Sequence, residues 1–120
     1  MTDERRSHER IEVDLPVMLV ASGNRASATI IDLSKGGLCL KLIDQISVDG
    51  RAEIYFEFSE TDSAECDARI QWSSGRGVGL QFTEPDKRFK GFIDDLHTIR
   101  PILRAGLVKG IRRAVITFTR

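Results

Sequence analysis

The chain is 120 residues long, with 41% apolar residues, 30% charged residues and a formal net charge of zero. That length suits one compact domain with its own apolar core and is too short for two ordinary ones, and the balance is that of a soluble globular protein rather than a disordered or membrane one. No apolar run follows the charged start or reaches bilayer-spanning length, so a cytoplasmic location without membrane insertion is expected.

Residues 1–10 carry Arg5, Arg6 and Arg10 and no apolar anchor, which predicts a flexible arm. From Ile11 the odd positions Ile11, Val13, Leu15, Val17 and Leu19 alternate with polar ones, the pattern of a half-buried strand. Pro16 lacks a backbone donor and places this strand at an edge or beside a bulge. After the turn Ser22-Gly-Asn-Arg25, a strand over about 27–32 and another over about 37–42 form a hairpin joined by Leu33-Ser-Lys-Gly36. Residues 51–58 alternate with Ala52, Ile54, Phe56 and Phe58 inward, and residues 65–73 with Cys66, Ala68, Ile70 and Trp72 inward. A turn at Ser73-Ser-Gly-Arg76 leads to a sixth strand carrying Val78, Leu80 and Phe82. Six short antiparallel strands imply a small barrel or sandwich, with no internal repeat.

The period then lengthens. Thr83-Glu-Pro-Asp86 reads as a helix start, with Thr83 as cap, and Phe89, Phe92, Ile93, Leu96 and Ile99 follow at helical spacing. Pro101 ends or kinks this helix. Beyond it the spacing of Leu103, Leu107, Ile111 and Ala114 fits a second helix weakened by Gly106 and Gly110, while Val115 to Thr119 fits a strand equally well. The expected organisation is an arm over 1–10, a barrel plus helix over 11–100 and a basic extension over 101–120.

Charge is unevenly spread. Seven carboxylates and one base lie between Asp49 and Asp67, whereas six bases and no acid lie from Arg100 to the end. Six charges over that span are not a dense patch, and a solvated face is the favoured reading. Cys39 and Cys66 form no Cys-x-x-Cys unit and have only His8 and His97 as co-ligands, so two buried or half-buried thiols are expected rather than a zinc site or disulfide.

Two features carry chemistry. Arginine presents a planar fork that bonds a phosphate or the O6/N7 edge of guanine. A carboxylate such as Asp32 accepts from the N–H groups on guanine's opposite edge. Ser34 adds a hydroxyl, and Gly36 and Gly37 allow positive φ and close approach of backbone N–H groups to an anion. Taken singly, the arginines read as a solvated tail and the Asp-x-Ser-x-x-Gly run as a tight turn. Their placement beside one small barrel makes them one candidate site.

These motifs resemble the PilZ family: Arg5-Arg-Ser-His-Glu-Arg10 ahead of an alternating strand, Asp32-Leu-Ser-Lys-Gly-Gly37 after the second strand, and Trp72 followed by Gly77-Val-Gly-Leu-Gln-Phe82. The resemblance covers about Glu4 to Ile99 and implies a stand-alone, non-enzymatic, six-stranded antiparallel barrel with a C-terminal helix. By the same resemblance, such a domain binds cyclic di-GMP and signals to an unidentified downstream protein in motility, exopolysaccharide or biofilm control. Arg6 and Arg10 match the arginines that engage phosphates and guanines, Asp32 and Ser34 match residues that read a guanine, and Gly37 matches a position of close backbone approach. Arg5 resembles the residue of members that bind a stacked pair of ligands, which implies two cyclic di-GMP per protomer and no further cofactor.

Alternatives are a PilZ-fold interaction module without nucleotide binding, against which the intact motifs argue, and a single-stranded nucleic-acid binder. Tyr55 is the one obvious aromatic at an exposed parity and positive charge is not in excess, so no nucleic-acid polymer is expected as a partner. No nucleophile with a His base, paired carboxylates or metal cluster supports catalysis. His8 and His97 are read as exposed or structural, Lys35 as a phosphate contact or a group that solubilises the turn, and Trp72, by parity, as core or rim.

Overall fold

The structure is a computed structural model that describes residues 9–119. Its elements are β1 (Ile11–Ala21), β2 (Asn24–Leu33), β3 (Gly37–Leu42), β4 (Arg51–Glu57), β5 (Ser63–Ser73), β6 (Gly77–Pro85), α1 (Lys87–Thr98), α2 (Pro101–Lys109) and β7 (Arg113–Thr119). The strands close into a barrel in the order β1-β2-β3-β6-β5-β4-β7. Alternation places Leu19, Ile30, Leu40, Ile54, Phe56, Leu80 and Ile116 inside, each essentially without exposure. The β1–β2 hairpin turns on Ser22 and Gly23, at φ 51° and 80°, the conformation that matches the twist of its strands. Pro16 stands just past a register shift between Glu12 and Leu15. On its other side β1 meets β7 only from Met18 onward, so the missing amide costs no ladder bond there.

Seven strands, not six, make the barrel. Val115 to Thr119 lies in β7, antiparallel to β4 and parallel to β1, and residues 113–119 therefore close the barrel instead of extending from it. Local pattern left helix and strand in balance there. Pairing with two distant strands decides it, and a parallel neighbour requires a crossover that no local signal announces. Pro101 ends the α1 segment as expected and is also the first residue of α2, where its missing N–H removes no bond.

The first helix also starts later than its capping signal suggested. β6 continues through Pro85, which pairs with Cys66. Asp86, not Thr83, is the cap: one carboxylate oxygen accepts from Phe89 N–H at 2.7 Å and the other from Glu65 N–H at 3.0 Å. This second bond ties the helix start to β5, which is why Asp86 outcompetes a cap with only local partners. Phe89, Phe92, Ile93 and Leu96 then lie against the barrel, with Phe89 stacked on Phe56 at 5.3 Å between centroids and edge-on to Phe82 at 5.1 Å.

Candidate functional site

The turn between β2 and β3 is built by Ser34. Its amide donates to Gly37 O at 2.8 Å, and its Oγ accepts from Gly36 N–H at 3.2 Å and Gly37 N–H at 3.1 Å. The hydroxyl also lies 3.3 Å from Gly37 O, to which it donates. Neither glycine has a positive φ, contrary to the expectation from sequence, because the amides turn inward to the serine rather than outward as an anion nest. Gly37 is required for a different reason: a Cβ there would stand 2.1 Å from Leu80 O of β6. The close backbone approach at this position is thus strand to strand.

The same turn occurs a second time. Ser74 N–H donates to Gly77 O at 2.9 Å, and Ser74 Oγ accepts from Arg76 N–H at 3.2 Å and Gly77 N–H at 3.1 Å. Residues 30–42 and 70–82 correspond one to one. Each hairpin has a register shift at the matching place, between Ile30 and Asp32 and between Ile70 and Trp72. β3 and β6 pair with each other about the Cys39–Gly79 partners, and the bonds Leu42 N–H to Arg76 O and Phe82 N–H to Gly36 O are mates under the same exchange. An approximate two-fold axis therefore passes between Cys39 and Gly79. The sequence shows no evident repeat because only Ile30/Ile70, Ser34/Ser74, Gly37/Gly77 and Leu40/Leu80 are identical, beside a shared apolar parity.

The two register shifts place the site. Strict alternation would put Asp32 inward with Ile30 and Trp72 inward with Ile70. The extra residue in each strand, Ile31 or Gln71, moves both to the outer face, which corrects the expected inward position of Trp72. Asp32, Cys39, Gly79 and Trp72 are consecutive partners across β2, β3, β6 and β5 and so form one row on that face. Trp72 is 45% exposed and lies over β6, where a Cβ on Gly79 would meet its Nε1 at 2.1 Å. Two glycines at 77 and 79 leave room for the indole to lie flat, a feature that the spacing Trp72…Gly77-x-Gly79 carried.

Arg10 reaches the other end of the row. Its Nη1 lies 3.4 Å and 3.5 Å from the two oxygens of Asp32 and 3.1 Å from Cys39 Sγ. Burial pushes the Cys39 thiol up, against the opposing pull of Arg10, so the sulfur is a neutral acceptor. With the guanidinium side chain 46% exposed and a long, one-sided contact, such a pair contributes at most about 1 kcal/mol and is readily exchanged for another partner. The structure thus brings Arg10 and Asp32 together and adds Trp72. Lys35 is exposed beside the turn. Arg5, Arg6 and His8 lie outside the described residues.

Cys66 is buried on the inner face of β5 and its thiol is pushed up to about 12 by burial, so it has no part in this face. Among the described residues, no helix is long and apolar enough to cross a membrane, and no three His, Cys, Asp or Glu side chains converge as for a metal ion. No curated protein matches the chain. The family model of the PilZ domain matches residues 4–96, a stretch that contains the arginine segment, the Asp32 turn, Trp72 and all but the last strand of the barrel. The chain accordingly belongs to the PilZ domain family, a family of cyclic di-GMP receptors.

Proposed function

We propose that this domain binds cyclic di-GMP on the outer face that runs from Arg10 and Asp32 to Trp72, and that binding alters this face for a downstream partner. The observation that carries the reading is the weak Arg10–Asp32 pair at the end of a row closed by an exposed indole. Together these supply a carboxylate for a guanine's N–H edge, a guanidinium for its O6/N7 edge or a phosphate, and an aromatic wall. A guanine that donates to Asp32 releases Arg10, which then faces the ligand instead of the carboxylate. Arg5 and Arg6, five and four residues earlier in the sequence, complete the charge needed by two phosphates, while Ser34, Gly36 and Gly37 hold Asp32 in place.

Arg5 supports a stacked pair of ligands, hence two per protomer. Calorimetric titration of the pure protein with cyclic di-GMP, GTP and a short RNA separates a receptor from an interaction module and from a nucleic-acid binder. We expect binding of cyclic di-GMP alone at a stoichiometry of two, with Arg6→Ala reducing affinity about tenfold to a hundredfold. A stoichiometry of one removes the paired mode, and undiminished binding by Arg6→Ala removes the site.

A further inference from the structure

His97 stands in the last turn of α1, and both nitrogens of its ring face carbonyl oxygens. Nδ1 is 2.9 Å from Ile93 O, one turn earlier in the same helix, and Nε2 is 3.1 Å from Glu9 O, the residue before Arg10. A carbonyl oxygen only accepts. Neutral imidazole carries one N–H, so it satisfies one of these contacts and turns a lone pair toward the other, whereas imidazolium donates to both. The ring cannot escape by rotating, since either nitrogen then still meets an acceptor or is replaced by carbon.

Charged groups of both signs neighbour it in the chain. Asp94 precedes it by one turn on α1, Glu9 and Arg10 lie on the segment that it touches, and Arg100 follows at the junction with α2. On the barrel side α1 presents Phe89 and Phe92 to Phe56, Phe58 and Phe82, all uncharged, and the Arg88–Asp62 pair is at the helix's far end. A positive ring does suit the carbonyl end of a helix.

We propose that protonated His97 is a positioning residue: it fastens Glu9 to the end of α1 and so holds Arg10 over Asp32, ready for the ligand. This rests on the reading of the face as a cyclic di-GMP site, but the fastening itself is a property of the free protein. When the ring loses its proton, the second donor is lost and Arg10 is no longer pre-positioned, so affinity falls. One hydrogen bond of pre-organisation corresponds to about a fivefold change.

The chain has two histidines, and His8 adjoins the same segment, so the two must be separated. Parent, His97→Gln and His8→Gln proteins are followed by NMR without ligand, and then titrated with cyclic di-GMP, between about pH 5.5 and about pH 7.5. Expected are backbone amide signals of Glu9 and Arg10 that move with the His97 ring signals in the parent and in His8→Gln, and that stay still in His97→Gln. Affinity is expected to be about fivefold higher at the acidic end in the first two and flat in the third. The inference is overturned by amide signals that ignore pH in the parent, or by a pH response that survives in His97→Gln. If the amide signals respond as expected but no cyclic di-GMP binds at any pH, the fastening stands and the receptor reading falls.

Discussion

The hairpins closed at residues 34–37 and 74–77 share the same hydrogen bonds, the same bulge and the same packing against each other, and they differ in what each bulge turns outward. The first presents Asp32 beside Arg10. The second presents Trp72 across two glycines. The serine and glycines that look most like a ligand loop in the sequence are therefore the part that the two turns have in common, and they serve the chain's own geometry. On the function proposed above, recognition falls to the residues by which the hairpins differ, a carboxylate with its arginine on one side of the two-fold axis and an aromatic ring on the other.

Substitutions that test shared and distinct positions separately can break this comparison. The largest effect is expected at Gly37, where Gly37→Ala sets a methyl against the Leu80 carbonyl at 2.1 Å, while its counterpart Gly77→Ala meets Leu40 O at 2.9 Å. Urea unfolding should show a loss of about 3 kcal/mol for the first and about 1 kcal/mol for the second. Equal losses would mean that the two sides of the barrel yield alike. Next come the distinct positions: Asp32→Ala should weaken cyclic di-GMP binding about tenfold to a hundredfold, and Trp72→Ala about tenfold, by calorimetry.

Smaller effects sharpen the division. Ser34→Ala and Ser74→Ala each remove the hydroxyl that gathers a turn, and each should lower stability by about 1 kcal/mol. Matched ligand affinities would keep Ser34 a turn residue, whereas a tenfold loss in Ser34→Ala alone would make it a reader of the ligand. The smallest effect concerns the barrel's closing strand, away from both turns. Arg112 donates to Glu57 at 2.6 Å and holds that carboxyl below its usual value of 4.5. A carboxyl with a depressed value in the folded state adds stability above 4.5 that disappears as pH falls through the folded value. Thermal melts of the parent and Arg112→Ala should accordingly differ slightly at neutral pH and converge as acid protonates Glu57.

Most of the strands were legible because alternation has a period of two and each barrel strand buries one face, as Ala52, Ile54 and Phe56 show. The apolar face of α1 was legible for the same reason at helical period. Its start was not, since Thr83-Glu-Pro satisfies the local rules for a cap, and only the contact of Asp86 with β5 displaces them. Arg10 and Asp32 were legible as chemistry, through a charged segment and a turn motif. Trp72 was misplaced because a bulge inverts parity without any residue type that marks it.

By itself the sequence determined the strand-rich barrel, the helix that covers it and the residue types able to hold a guanine nucleotide, because these follow from periodicity and side-chain chemistry within short windows. Only the tertiary structure decided that residues 113–119 close the barrel, that two bulges bring Asp32 and Trp72 onto one outer row, and that His97 reaches Glu9. Each of those depends on pairing between segments far apart in the chain, where register and crossover rather than local preference set the outcome.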